Sequence, residues 1–300
     1  METALKDKTP SELFEQFYSS EVYDLTVKET ERYATDVKNE QGFLFVFYIC
    51  QRNTCFYLTK YVFLSYVFLS FTANEIRVFI GILLITGYHS NTCERDYWSD
   101  AEDLRITLVK NAMTRNRFQK LKSYLYFVDN GTVSQHAQDR SFKVKPLFAV
   151  LNNNFMKFGH FSANLRIDEM IIMYYGRNSL KRFIRGKPIR FGYKLWALCG
   201  SEGNCYNFSL YCGKEFDARN DTSLGTRFVM KLTQNIVNPS SYTLYFDNFF
   251  TSIYLLKSLG EQGFRAAVTI RENRIYHEFP LEESKSMRKK ERGTSDFAFD

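Results

Sequence analysis

The chain has 300 residues, 45% hydrophobic and 24% charged, which fits one large domain or two ordinary ones and excludes a largely disordered chain. Its 5 prolines and 15 glycines exclude collagen-like and linker-rich classes. Lys plus Arg, 40, exceed Asp plus Glu, 33, by 7, a modest excess that permits a polyanionic partner without establishing one.

In chain order, the opening METALKDKTPSELFEQ has neither an apolar core nor a cleavage signal, so secretion is not expected. Thr9, Pro10 and Ser11 open a short helix carrying Leu13, Phe14 and Phe17 at helical spacing. Residues 1–41 read as an N-terminal helical segment. Residues 42–72 read as an aromatic insertion, with a tandem repeat of Tyr61–Ser65 in Tyr66–Ser70. The span 55–73 approaches the length of a membrane helix, but Thr59, Lys60, Ser65, Ser70 and Thr72 interrupt it. The favoured expectation is an insertion with no designed role; membrane association is the minor alternative.

Asn74 is expected to cap a helix over 76–88 that is apolar on nearly all sides and must be buried. Helices over 114–124 and 142–158 follow, so 73–160 reads as a helical region suited to DNA binding or dimerisation. From Leu165 the pattern changes to strands over 165–173, 190–199 and 204–212, the last two joined by the turn Gly200–Gly203. A helix over 222–237, a strand over 242–246, a helix over 251–262 ended by Gly263, and a strand over 264–269 complete the order β-β-β-α-β-α-β. That is an α/β mixed sheet with flanking helices, the element order of a ribonuclease H-like fold, over 161–272.

Six cysteines, at 50, 55, 93, 199, 205 and 212, form no CxxC pair, and the four histidines lie away from any cysteine cluster, so no zinc site is expected. Cys199, Cys205 and Cys212 read as buried strand residues and free thiols.

Two carboxylates interrupt apolar strands: Asp168 and Asp247. Burying an aspartate there is costly unless it is paired or bound to a cation. If their strands are central neighbours, the two carboxylates converge, and a divalent cation such as Mg²⁺ relieves their repulsion. Two such metals clamp the oxygens of a phosphoryl displacement. The competing assignment pairs Asp168 with an arginine and makes Asp247 a helix cap. Glu169, one residue out of register, should face away. Between the carboxylates, Arg177, Lys181, Arg182, Arg185, Lys187, Arg190 and Lys194 form a run with no acidic residue, with Phe183, Phe191 and Tyr193 interleaved. Such a run suits phosphate contacts and base stacking, or else a solvated hairpin face. A second basic cluster lies at Lys285–Arg292.

Several segments resemble the transposase domain of piggyBac elements and of host proteins derived from them. They are Thr9–Phe14, Glu29–Ala34, Tyr97–Ser99, Met113–Phe118, Tyr124–Asn130, Asp168–Met170, Ser179–Lys194, Tyr245–Ser252 and Thr269–Arg274, and the likeness covers most of 9–41 and 73–300. The resemblance implies a ribonuclease H-like core in which three aspartates hold Mg²⁺ and DNA is cut and pasted, and it implies a nuclear protein. Asp168 and Asp247 match the first and second aspartates. The third belongs, in the family, to a Trp-x-Asp-Asn context that this sequence lacks, and neither Asp296 nor Asp300 is assigned to it. Residues 273–300 resemble the start of an insertion domain, cut short here, and the family's cysteine-rich zinc module is missing. The expectation is therefore a truncated, transposase-derived DNA-binding protein, inactive as this chain alone, with a homodimer as a candidate assembly. The alternative is a host-adapted DNA-binding or protein-interaction module without catalysis.

Overall fold

Capping chemistry sets the first helices. In the computed structural model, which describes residues 8–50, 70–136, 139–159, 161–213, 222–275 and 280–297, α1 spans Pro10–Phe17 behind a Thr9 cap. The Thr9 hydroxyl accepts from Glu12 N–H while Glu12 reaches back to the Thr9 backbone. α2 spans Ser20–Cys50 and so runs through the boundary expected at 41/42. The repeat up to Leu69 and most of the span expected as a membrane candidate, 55–73, lie outside the described residues. Among the described residues, no helix is long and apolar enough to cross a membrane.

α3 spans Ala73–Tyr88, and its cap is Thr72, not Asn74. Thr72 and Glu75 form a reciprocal pair at the helix start. Asn74 instead accepts from Arg77 within the first turn. The expectation that α3 is buried on all sides is corrected: Ile76, Phe79 and Ile82 are buried, whereas Leu84 is 50% and Tyr88 91% exposed. Val78, Ile80 and Ile85 pack partly buried beside those three, against one core. α4 (Thr107–Ala112), absent from the sequence expectation, and α5 (Arg115–Tyr124) supply Val109, Phe118 and Leu121 to that core. α6 spans Lys145–Phe158, and the chain divides within it into two compact units, one up to Asn154 and one from Phe155.

The second unit holds a six-stranded sheet. Its strands are β1 (Asn164–Met173), β2 (Lys181–Phe183), β3 (Phe191–Gly200), β4 (Cys205–Leu210), β5 (Thr243–Phe246) and β6 (Arg265–Val268). β1 is central, antiparallel to β3 and parallel to β5, and β5 is parallel to β6. β4 and β2 share the far edge of β3, along Leu195–Cys199 and Phe191–Tyr193 respectively. β2 is missing from the sequence expectation because three basic and aromatic residues carry no alternation to read.

One face of the sheet is apolar. Leu165 and Ile167 of β1, Trp196 and Leu198 of β3, and Leu244 and Phe246 of β5 pack with Phe228, Val229 and Leu232 of α7 (Leu224–Thr233) and with Leu255 and Leu259 of α8 (Ile253–Glu261). Gly263, at φ +89, turns α8 back into β6, a left-handed conformation that glycine adopts without steric cost. The last helix, α9, is the short Ser284–Met287.

Candidate active site

The alternation of a strand decides what Asp168 faces. Leu165 and Ile167 point into the core, so Arg166 and Asp168 point to the opposite face. The same holds on β5, where Leu244 and Phe246 are buried and Tyr245 is exposed. The parallel register runs Leu165 with Leu244, Arg166 with Tyr245 and Ile167 with Phe246. The ladder ends at that pair, and Asp168 and Asp247 are the next residues along two strands whose backbones lie about 4.8 Å apart.

The competing roles for these residues leave both carboxylates available. Arg166 approaches Asp168 only to 4.0 Å, with side chains 73% and 46% exposed, a weak contact in water. The other Asp168 oxygen accepts from the Glu169 N–H at 2.7 Å. Asp247 does not cap α8; Ser252 does, accepting from Leu255 N–H. Asp247 accepts from Phe249 N–H at 3.0 Å through Oδ1, and its carbonyl takes the Thr251 hydroxyl at 2.9 Å. The side chain thus folds its own loop while standing exposed.

That loop is held from two sides. Arg274 donates to the carbonyls of Asn248 at 2.6 Å and Thr251 at 2.7 Å, and Arg271 donates to the Asn248 side chain at 3.1 Å. Gly225 of α7 lies so close beneath it that a Cβ there would stand 2.6 Å from Phe250 Cα. These supports were not singled out as site residues in the sequence; only Arg271 and Arg274, within the Thr269–Arg274 segment, carried any signal.

Glu169 faces the other side, with the core. It accepts from Lys194 at 2.6 Å and meets Lys187 at 3.5 Å. Partial burial pushes its carboxyl up, but the Lys194 hydrogen bond and the two ammonium charges outweigh that and hold it below the ordinary range. Lys194 also lies 3.9 Å above the Trp196 ring.

The basic run accordingly divides. Lys187 and Lys194 serve Glu169, Lys181 donates to the carbonyls of Tyr175 and Gly176, and Arg182 packs over the Tyr211 ring. Arg177, Arg185 and Arg190 are exposed, beside exposed Phe183 and Phe191, whose rings lie 5.0 Å apart. Lys290 of the second cluster pairs with Glu282, and Asp296 accepts from the Glu282 N–H at 2.7 Å. Among the described residues no group of three or more His, Cys, Asp or Glu side chains is placed to hold a metal.

A central strand flanked by one antiparallel and one parallel neighbour, with helical crossovers on one face, is the ribonuclease H-like arrangement. The family model for Transposase IS4 matches residues 9–300, and the chain belongs to this piggyBac-type transposase family. It is 34% identical over 98% of its length to human PiggyBac transposable element-derived protein 3, covering 45% of that protein. It is 32% identical to human PiggyBac transposable element-derived protein 2, again over 98% of the chain and 45% of the relative. A cryo-EM structure of the piggyBac transposase synaptic complex with hairpin DNA matches with a TM-score of 0.70 at 24% identity, over 96% of this chain and 55% of that one. That likeness is one of fold. The chain spans about half the length of these relatives.

Proposed function

We propose that this chain is a DNA-binding, transposase-derived protein in which Asp168 and Asp247 are two carboxylates of a magnesium site for phosphoryl transfer. The observation that supports the reading is the parallel β1–β5 register, Ile167 beside Phe246, which leaves Asp168 and Asp247 as the next residues of two adjacent strands. Their donor chemistry fits the cation. Mg²⁺ prefers hard oxygen, and its protein sites ordinarily contribute one or two carboxylates, the rest coming from water and phosphate. Bound there, the cation would supply charge neutralisation at the phosphoryl oxygens.

The chain's own residues do the remaining work. Phe249 N–H fixes one oxygen of Asp247, and Arg274 holds the loop that presents it. Arg177, Arg185 and Arg190 offer guanidinium groups to DNA phosphates, with Phe183 and Phe191 beside them for stacking. Cutting and pasting DNA as a whole is, in this reading, the business of a longer protein. These 300 residues bring two carboxylates and no Trp-x-Asp-Asn segment, so they bind DNA and do not cut it on their own. Nuclear residence follows from that partner.

The test measures binding of labelled duplex DNA by fluorescence anisotropy across salt, and cleavage with Mg²⁺ or Mn²⁺. Salt-dependent binding that survives Asp168→Asn, without cleavage, is expected. Cleavage by the purified chain that Asp168→Ala abolishes would overturn the non-cutting part, and salt-independent or absent binding would overturn the rest.

A further inference from the structure

The Asp168 face of the sheet carries a second chemical feature, independent of metal and of DNA. β3 and β4 pair in register from Leu195 with Leu210 to Leu198 with Asn207, and then shift, so that Cys199 stands opposite Cys205. The cause of the shift is Tyr206. It is 1% exposed, its ring stacked 4.1 Å from Phe161 and its hydroxyl accepting from the Ser162 N–H. Drawing Tyr206 into the core makes it the extra residue of a bulge and leaves Cys205, not Tyr206, as the partner of Cys199.

The spacing suits a covalent link. Gly200 N–H donates to the Asn204 carbonyl at 2.8 Å, so the neighbouring pair, Cys199 with Cys205, is of the non-hydrogen-bonded kind. There the Cα atoms approach to about 4.5 Å and the side chains stand closest. Disulfides span Cα separations of about 4.4–6.8 Å. Both residues are half-buried and both thiols are free, and the Cys205 thiol donates to the Asn207 carbonyl at 3.7 Å. The neighbouring Cys205 sulfur lowers the Cys199 thiol against the opposing effects of burial and of Asp168, and Cys199 together with burial pushes the Cys205 thiol up. The sequence expectation of buried strand cysteines is corrected accordingly: these two face away from the core.

We propose that Cys199 and Cys205 form an oxidisable dithiol that closes to an intrachain disulfide on reaction with a hydroperoxide. The Cys199 sulfur attacks one peroxide oxygen; the O–O bond breaks, giving a sulfenic acid and water. The Cys205 sulfur then attacks the Cys199 sulfur, the S–O bond breaks and a second water leaves, its proton coming from the Cys205 thiol. Two thiols and one hydrogen peroxide become one disulfide and two waters.

The full chain treated with hydrogen peroxide, alkylated and digested with trypsin and a glutamate-specific protease tests this. Cuts after Lys194, Glu202 and Lys214 separate 195–202 from 203–214, which holds both Cys205 and Cys212. The two fragments are expected to remain joined, two hydrogens lighter than their sum, and to part under dithiothreitol. Cys212→Ser should keep the link and Cys205→Ser should remove it. A link through Cys212, or Cys199 recovered alkylated or as sulfinic acid after treatment, would overturn the proposal; in the unsubstituted chain, fragmentation of the joined pair shows whether the remaining alkyl group sits on Cys205 or on Cys212.

Discussion

In the proposed site Asp168 and Asp247 are two like charges on adjacent strands, and that arrangement has a sign that stability measurements can read. Without a cation, neutralising one of them removes repulsion, so Asp168→Asn should leave chemical denaturation unchanged or raise stability by a few tenths of a kcal/mol. With Mg²⁺ present the order should reverse. The unsubstituted chain gains stability as RT ln(1 + [L]/Kd) while the variant gains little, and a thermal melt with and without Mg²⁺ checks both. Glu169 behaves oppositely. Its carboxyl is depressed below the ordinary value of 4.5 by Lys194 and Lys187 against the pull of burial, so its stabilising contribution is full above that value and is lost as pH falls through the depressed one. Glu169→Gln should cost about 1–3 kcal/mol at neutral pH, since it leaves Lys194, only 15% exposed, without its anion. Urea titrations at pH 7 and pH 3 should show that difference shrinking at the lower value. The two carboxylates were legible in the sequence because an acid breaking an apolar run is conspicuous, and strict strand alternation separated Asp168 from Glu169.

The loop after β5 is where elements cooperate. α7 reaches it only because Gly225 has no side chain. A Cβ there would meet Phe250 Cα at 2.6 Å and the Phe249 carbonyl at 2.9 Å, both backbone. Gly225→Ala should therefore push the loop or the helix aside and cost about 1–3 kcal/mol by chemical denaturation. Arg274→Ala, which removes the donors to Asn248 and Thr251, should cost a comparable amount. Hydrogen exchange at 247–252 should rise in that variant while exchange in β1 stays unchanged. Gly225 could not be read from the sequence, and Arg274 was marked only by its segment, not by its role. Gly225 sits inside a regular helical pattern, and Arg274 acts on carbonyls more than twenty residues away. The cap of α3 shows a smaller version of the same limit. Thr72 and Asn74 are both good capping residues two positions apart, and it is the reach of Glu75 back to the Thr72 backbone that selects between them.

At the scale of the whole molecule, the net charge of +7 matters less than where three arginines sit. Arg177, Arg185 and Arg190 are exposed at one edge of the sheet unit, whereas the other four members of the basic run are spent on Glu169, carbonyls and rings. Replacing the three with alanine should lower the log–log salt slope of DNA binding by about 2–3, near 0.9 for each phosphate no longer neutralised. Lys194→Ala should instead act mainly on stability. The sequence showed seven basic residues as one patch because charge alone does not reveal which groups are already paired inside. The sheet order was legible as a whole because each long strand and crossover helix carries its own period. β2 and α4, at three and six residues, are too short to carry one. The account rests on a cation held between β1 and β5. Ferrous iron in place of magnesium, with ascorbate and peroxide, cleaves backbone next to where it binds. Mapped by mass spectrometry on the full chain, cuts should cluster around Asp168 and around Asp247, fade with excess Mg²⁺ and vanish in Asp168→Asn. Cuts confined to one strand, scattered over the surface, or unchanged by that substitution would contradict it.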